Sequence, residues 1–427
     1  MKVIWKILYN LAFLPLLMVA GFIVSIFNEK VREGFRGRRN SLRKLTAQFS
    51  RRNPDQLVLW FHAASHGEYE QVRPVLAGLK EVEPDSIVVV SFFSPSGYKN
   101  VFDPNIDCKI YLPLDFYWTC RRSLKLVRPH KLIFAEYDLW PNLIWAARRL
   151  GIKTTLFSAR INRGSSRLWP VISNLYRHIY NNLDSVYTVS ERDHIAIKRL
   201  LAKRSRSIVR VLGNPRYDQV KEMADRPSVE RTKSVLERQL RVIAGSVWPD
   251  DENVVLPPIL DLLNEHPELL LYWVPHEPDS KFLERTMRSF DSSDIEPKLF
   301  SECKNGEFRK ARAVIVDEVG MLAELYWQGR IAYVGGGFST GIHNVMEPAI
   351  ARLPTVFGPR FHNSHAAEEL LNSGGGFTIS SQEEFRSTMD KLIDNHDFFV
   401  ESSLAATGVI HRNIGSATRV VRGILRD

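Results

Sequence analysis

From residue 57 onward the chain alternates short apolar runs, rich in β-branched and aromatic residues, with polar segments long enough for helices. No other feature restricts the fold as much. Residues 57–61, 87–93, 131–135, 154–157, 186–189 and 209–212 form one series of such runs. Residues 241–244, 269–274, 313–316, 331–334 and 355–357 form a second, beyond the weakly patterned stretch DQVKEMADRPSVERTKSVLERQL. Near-continuous apolar strands need cover on both faces, and intervening helices supply it, so each series predicts a parallel sheet. At 427 residues the chain is also too long for one ordinary core. The expected architecture is α/β in two domains, 57–225 and 226–427. The segment from about Thr407 has a helical pattern and is expected to pack back on the first domain.

Ahead of these domains, residues 7–27 read ILYNLAFLPLLMVAGFIVSIF, 21 residues without a charge. At about 1.5 Å per residue such a helix matches a hydrocarbon core of roughly 30 Å. The run is too long for a cleaved signal peptide, and a basic cluster follows it. Residues 28–52 hold nine Lys and Arg against Glu29 and Glu33. By the positive-inside rule that cluster stays cytoplasmic, with the rest of the chain behind it. Residues 1–27 are thus expected to be a membrane anchor and 28–56 a basic juxtamembrane segment. Asn10 and Pro15 weaken a simple spanning helix, so a segment lying in the inner leaflet is the alternative. The anchor makes acidic lipid, not nucleic acid, the expected partner of the basic charge. Three scattered cysteines, Cys108, Cys120 and Cys303, give neither a disulfide framework nor a zinc site.

In open α/β sheets ligands sit at the carboxyl ends of strands. The segments there are HAASHGE, SPSGY, EYDLWPN, SARINRG and GNPRYD in the first domain. In the second they are GSVWPDDE, PHEPD, DEVGML, GGGFSTGIHNVMEPA and GPRFHNSHAAEE. The triple glycine at 335–337 lets backbone approach a ligand closely, and Asn344 can begin a helix whose free N–H groups bind a phosphate. Glu347, one turn in, is placed to accept from ribose hydroxyls. A glycine run by itself also fits a tight turn before a capped helix. There is no Walker loop and no G-x-G-x-x-G fingerprint. His276 and Ser246 are candidate phosphate donors, and the backbone of Gly320 to Leu322 can meet a base edge. Trp248 reads as packing. In the first domain Ser65 and His66 lack the elbow of a hydrolase nucleophile. Glu68 falls in the first turn of a helix, where the dipole favours its ionised form. A carboxylate there can be a general base or only a cap. No D-x-D metal–nucleotide motif is present, and no metal is expected.

The ordered set HAASHGE, EYDLWPN, GNPRYD, GSVWPDDE, PHEPD, DEVGML and GIHNVMEPA, behind an N-terminal anchor, resembles the 3-deoxy-D-manno-octulosonic acid (Kdo) transferases. The resemblance runs over about residues 1–380. It implies two Rossmann-like domains in a GT-B glycosyltransferase fold, with the acceptor on the first and the nucleotide sugar on the second. It implies transfer of Kdo from CMP-Kdo to the lipid A precursor, lipid IVA, in lipopolysaccharide synthesis at the cytoplasmic face of the inner membrane. CMP-Kdo is then a substrate, and no cofactor is implied. Catalytic roles fall on Glu68 as base and on Asp138 and Arg216 as stabilisers of the transition state. Nucleotide contacts fall on Pro275, His276, Gly320, Met321, Leu322, Asn344, Val345, Met346 and Glu347. The family usually has Glu at position 138, Lys at 216 and Arg at 276, so reach differs at all three sites. Rival expectations are a membrane-associated glycosyltransferase using a UDP-sugar, a nucleotide-sugar epimerase of the same fold, and a tethered binding protein.

Overall fold

The computed structural model describes the chain apart from residues 1, 51–52, 54, 137, 162–168, 203–204, 227, 229–230, 232, 292, 294 and 304–310. Arg51 and Arg52 of the basic segment, Tyr137 of EYDLWPN and 162–164 of SARINRG lie outside the described residues. Two compact units are present: Met1–Gln219 with Gly415–Asp427, and Val220–Ile414.

The first unit holds β1 (Val58–Ala63), β2 (Ile87–Phe92), β3 (Cys108–Tyr111), β4 (Lys131–Ala135), β5 (Lys153–Ala159), β6 (Ser185–Thr188) and β7 (Ile208–Val211). They form one parallel sheet in the order β3-β2-β1-β4-β5-β6-β7. β1 is buried along its whole length, as a central parallel strand covered on both faces must be. One side packs Trp60, Leu132, Phe134 and Leu156 with Leu45 and Phe49 of the helix Glu29–Phe49. The other packs Leu59, Phe61 and Ile133 with Val72, Val75 and Leu76 of the helix His66–Val82. The last helix, Ser416–Arg426, joins this second layer through Val420, Val421 and Ile424.

The second unit repeats the plan. Its strands are β8 (Arg241–Val247), β9 (Leu270–Pro275), β10 (Lys298–Leu299), β11 (Ala313–Ile315), β12 (Ile331–Val334), β13 (Thr355–Phe357) and β14 (Gly376–Thr378). The parallel order is β10-β11-β9-β8-β12-β13-β14. Trp273, Ile243's neighbours Val242 and Ala244, and Tyr333 lie in its buried core with Val255, Ile259 and Leu263 of the helix Pro249–Glu265. Each sheet reverses its direction of growth once, between β1 and β4 and between β8 and β12. Ligands of such sheets bind where that reversal opens a crevice beyond the carboxyl ends.

At the amino terminus one helix, Ile4–Phe27, is long and apolar enough to cross a membrane. A π-turn over Tyr9–Phe13 interrupts it just before Pro15. The wider turn accommodates a residue that cannot donate into the helix and crowds the carbonyl four residues back. Asn28, in extended conformation, ends this helix and caps the next by accepting the Val31 N–H at 3.1 Å.

Candidate active site

In the first unit the reversal point gathers the ends of β1 and β4. Past β1 the chain turns through Ala64 and Ser65 into the helix His66–Val82. Ser65 caps it, its Oγ accepting the Glu68 N–H at 3.4 Å. Glu68 reaches back, and its Oε2 accepts the Ala64 N–H. Ser and Glu three residues apart thus close the turn reciprocally, in the manner of a capping box. That closure holds the Glu68 carboxyl half-buried at the strand end. A helix amino terminus alone predicts a readily ionised group, and here the structure corrects the expectation. Glu68 is pushed up to about 8, first by burial and then by the carboxylates of Glu136 and Asp138. The Ala64 and Ser65 N–H groups pull the other way and are outweighed.

Asp138 follows β4 and is held from two sides. Trp140 Nε1 donates to its Oδ2 at 3.1 Å, and His62 Nε2 lies 2.9 Å from the same oxygen. An ionised carboxylate only accepts, so this His62 nitrogen carries the proton toward it. His62 has no exposed surface. Strand register sets it opposite Ser91 of β2, and its Nδ1 lies 2.9 Å from the Ser91 carbonyl oxygen and 3.0 Å from Ser91 Oγ. Glu136 holds the strand end at a positive φ of 59°. Arg216 opens the helix Arg216–Ala224, its N–H donating to Asn214 Oδ1 at 3.0 Å. Gln219, one turn on, donates to Glu70 Oε2 at 2.6 Å and ties this helix to the one carrying Glu68. The Arg216 Nε is buried without a hydrogen-bond partner among the described residues. His62 and Glu136 belong to this cluster although the sequence reading assigned them no part. The available signal was that His62 is the polar residue interrupting an apolar strand and Glu136 the first acid after β4.

In the second unit Asp251 organises the reversal point. It is fully buried, and it accepts the Trp248 N–H at 2.9 Å, the Gly336 N–H at 2.7 Å and the Tyr333 hydroxyl at 2.8 Å. Burial raises its carboxyl above the ordinary range while these donors pull it down. The bonds draw the glycine loop against the end of β8, so closely that a Cβ on Gly335 would stand 2.3 Å from the Ser246 carbonyl oxygen. Ser246 itself sits at a φ of 55°. Pro275 ends β9, and the His276 N–H donates to the Val247 carbonyl at 3.0 Å. The His276 ring then stacks over both Trp248, at 4.6 Å, and His343, at 4.3 Å. Trp248 Nε1 donates to His343 Nε2 at 2.8 Å. Trp248 therefore does more than pack, because its bond requires the His343 tautomer with a proton on Nδ1. Burial, then the neighbouring His276, lowers His343 to about 4, and the ring is neutral at physiological pH.

Asn344 precedes the short helix Met346–Ile350 and fills its first donor, Oδ1 accepting the Met346 N–H at 3.0 Å. Its amide donates to Glu347 Oε1 at 2.7 Å. The helix start expected to offer free N–H groups to an anion thus already has its first one occupied. Val345 and Met346 are buried. Gly320, at a φ of 89°, and Met321 lead into the short helix Leu322–Leu325, and the Leu322 side chain crowds the α-carbon of Gly245 in β8. Among the described residues no group of three or more His, Cys, Asp or Glu is arranged to hold a metal ion.

A family model described as 3-deoxy-D-manno-octulosonic-acid transferase (kdotransferase) matches residues 35–219. A 3-deoxy-D-manno-octulosonic acid transferase of Chlamydophila psittaci is 30% identical over 328 residues, 75% of this chain and 73% of the relative. The chain belongs to the Kdo transferase family. This makes it a glycosyltransferase. A transferase of the same name from Aquifex aeolicus is 26% identical over 79% of this chain and 86% of its own length. Among solved structures, the UDP-GlcNAc 2-epimerase of Neisseria meningitidis superposes with a TM-score of 0.62 at 13% identity, over 87% of this Kdo transferase chain and 100% of the epimerase. MurG of Acinetobacter baumannii gives 0.56 at 17% identity, with the same coverage of each. These likenesses concern fold alone, and the fold is GT-B.

Proposed function

We propose that this Kdo transferase moves Kdo from CMP-Kdo, with inversion, to the lipid A precursor lipid IVA in lipopolysaccharide synthesis at the cytoplasmic face of the inner membrane. The observation that carries the mechanism is a carboxyl group, Glu68, held at a strand end and pushed up to about 8 beside Glu136 and Asp138. A base of that strength takes a proton from a sugar hydroxyl better than an ordinary carboxylate does. In this reading Glu68 strips the acceptor hydroxyl as it attacks, and CMP departs from the opposite face of the sugar. Arg216 offsets charge gathering on the leaving phosphate, an effect that grows in a site shielded from water. Asp138, oriented by His62 and Trp140, lies beside the sugar cation that develops. Ser246, Asn344 and the His276 ring bind the phosphate, Glu347 the ribose, and the backbone at Pro275 and from Gly320 to Leu322 the base. The apolar amino-terminal helix keeps the enzyme where acyl chains hold the acceptor.

The test incubates purified full-length protein with CMP-Kdo and the tetraacylated disaccharide bisphosphate. Mass spectrometry counts the sugars added, and NMR of the product reads the anomeric configuration. Acceptor-dependent release of CMP, lost in Glu68→Gln, is expected. Release of CMP without acceptor, or retention of configuration, refutes the mechanism. Turnover of a UDP-sugar in place of CMP-Kdo refutes the donor assignment.

A further inference from the structure

The amino-terminal helix is seated lengthwise on the first unit. Its residues that are not exposed, Trp5, Tyr9, Asn10, Leu14, Met18, Gly21 and Ser25, follow helical spacing and make one narrow stripe. At the front of that stripe Tyr9 donates to Asp115 Oδ2 at 2.7 Å, and the Asn10 and Asn142 amides bond each other at 2.8 and 3.1 Å. Tyr9 also meets the Trp145 ring edge-on, and the Lys6 ammonium lies 5.4 Å above the same ring. At the rear Arg32 donates to the Ser25 and Ile26 carbonyls at 2.9 and 2.7 Å, and Gly21 lies against Phe35. The surface that receives the helix is itself fixed. The helix Glu29–Phe49 buries Leu45 and Phe49, and Ser41 donates to the Tyr111 carbonyl at 2.8 Å. Asp115 has no exposed surface to speak of and accepts from the Asn142 and Leu143 N–H groups as well.

We infer that this helix does not cross the bilayer but lies along its cytoplasmic interface, docked on the first unit, which makes the enzyme monotopic. A helix bonded at both ends of its length to a charged unit cannot pass through hydrocarbon without dragging that unit's Asp115, Arg32 and Asn142 along. Pulling it free to span would remove the Tyr9 donor from a buried carboxylate and set Asn10 in lipid. The rest of the circumference is apolar and outward: Leu11, Phe13, Leu16, Phe22, Ile26 and Phe27 are each more than half exposed. That face fits the acyl–headgroup boundary. Charge agrees with an acidic membrane surface. The following helix carries Arg36, Arg39 and Arg43, and a cavity of about 730 Å³ beside Trp5 is lined by Arg148, Lys153, Arg177 and Arg206 together with Asp184 and Asp427. The inference rests on the membrane placement proposed above and narrows it.

The test uses full-length protein in cell membranes, with Cys303→Ser leaving only the buried Cys108 and Cys120. Val3→Cys and Ser50→Cys, made singly, are exposed to a membrane-impermeant maleimide in right-side-out and inside-out vesicles. A helix in the interface labels both cysteines from the cytoplasmic side only, with complete loss of labelling from the other side. Labelling of position 3 from the far side, with position 50 cytoplasmic, overturns the inference and leaves the membrane placement intact. Failure of the protein to sediment with vesicles overturns both. Phe22→Cys should be shielded by lipid, and its ready oxidative cross-linking to a second copy would make another copy the occupant of this face and overturn the lipid assignment.

Discussion

Replacing Glu68 with Gln should abolish transfer and at the same time stabilise the first unit in alkaline solution. The folded carboxyl keeps its proton up to about 8, whereas in an unfolded chain it is lost near 4.5. Between those values the folded state binds a proton that the unfolded state does not, so stability falls as pH rises. At about 1.4 kcal/mol per pH unit, the whole interval sets an upper bound of about 5 kcal/mol. Glu68 is only partly shielded from water, which screens its neighbours, and about 2 kcal/mol at pH 8 is the expected gain. Glutamine carries no charge, and its oxygen still accepts the Ala64 N–H, so the turn itself survives. Melting of wild type and variant is compared at pH 5 and pH 8. For a unit of this size the gain corresponds to about 4–8 °C at pH 8 and close to nothing at pH 5. Turnover should fall by about 10²–10⁴. Equal gains at both pH values would show that the carboxyl is not held in its acid form by the fold, and normal turnover would assign the base elsewhere.

Asp138→Asn removes one of the two carboxylates that raise Glu68 while keeping an acceptor for His62 and Trp140. The acid limb of kcat/KM should move down by about half to one pH unit, a direction set by the lost like charge. Arg216→Ala should lower kcat by about 10²–10³, and Arg216→Lys should restore part of it, because charge is kept and the planar fork is not. Asp251→Ala strips the acceptor from the Trp248 and Gly336 N–H groups and the Tyr333 hydroxyl. At about 1 kcal/mol per bond the second unit should lose about 3 kcal/mol in urea unfolding, and calorimetry should show weakened CMP binding.

The two sheets were legible because central parallel strands are apolar throughout. Residues 57–61 leading into β1, 132–135 of β4, 269–274 through β9 and 331–334 of β12 each stand out as apolar runs in a polar background. Three strands were not foreseen, and all lie at sheet edges. β3 (CKIY) carries a lysine midway, β10 is two residues long, and β14 begins with glycine. An edge strand has one neighbour and less cover, so its sequence need not be apolar. Within the site, chain position located Glu68 at its helix start, since Ser65 and Glu68 form a local pattern. Its raised proton affinity was not legible, because it arises from Glu136 and Asp138 some seventy residues away in sequence. The seating of His62 on Asp138, and of His276 over Trp248 and His343, are likewise products of strand order. No local spacing encodes them.

Both reversal points also carry the same local cost. Glu136 and Ser246 stand at strand ends with φ of 59° and 55°, where an ordinary side chain is disfavoured by about 1–2 kcal/mol and glycine is not. If backbone geometry alone mattered at Ser246, glycine would serve as well or better. Its hydroxyl makes no hydrogen bond among the described residues, and the phosphate contact proposed above would give it one. Ser246→Gly should therefore leave the second unit as stable or raise it by about 0.5 kcal/mol, because the relieved strain outweighs the added freedom of the unfolded chain. The same variant should bind CMP about tenfold more weakly, the loss of one hydrogen bond to a charged group. Unfolding in urea and titration calorimetry separate the two effects. A clear loss of stability with CMP affinity unchanged would show that the serine serves the fold, and would remove it from the nucleotide site.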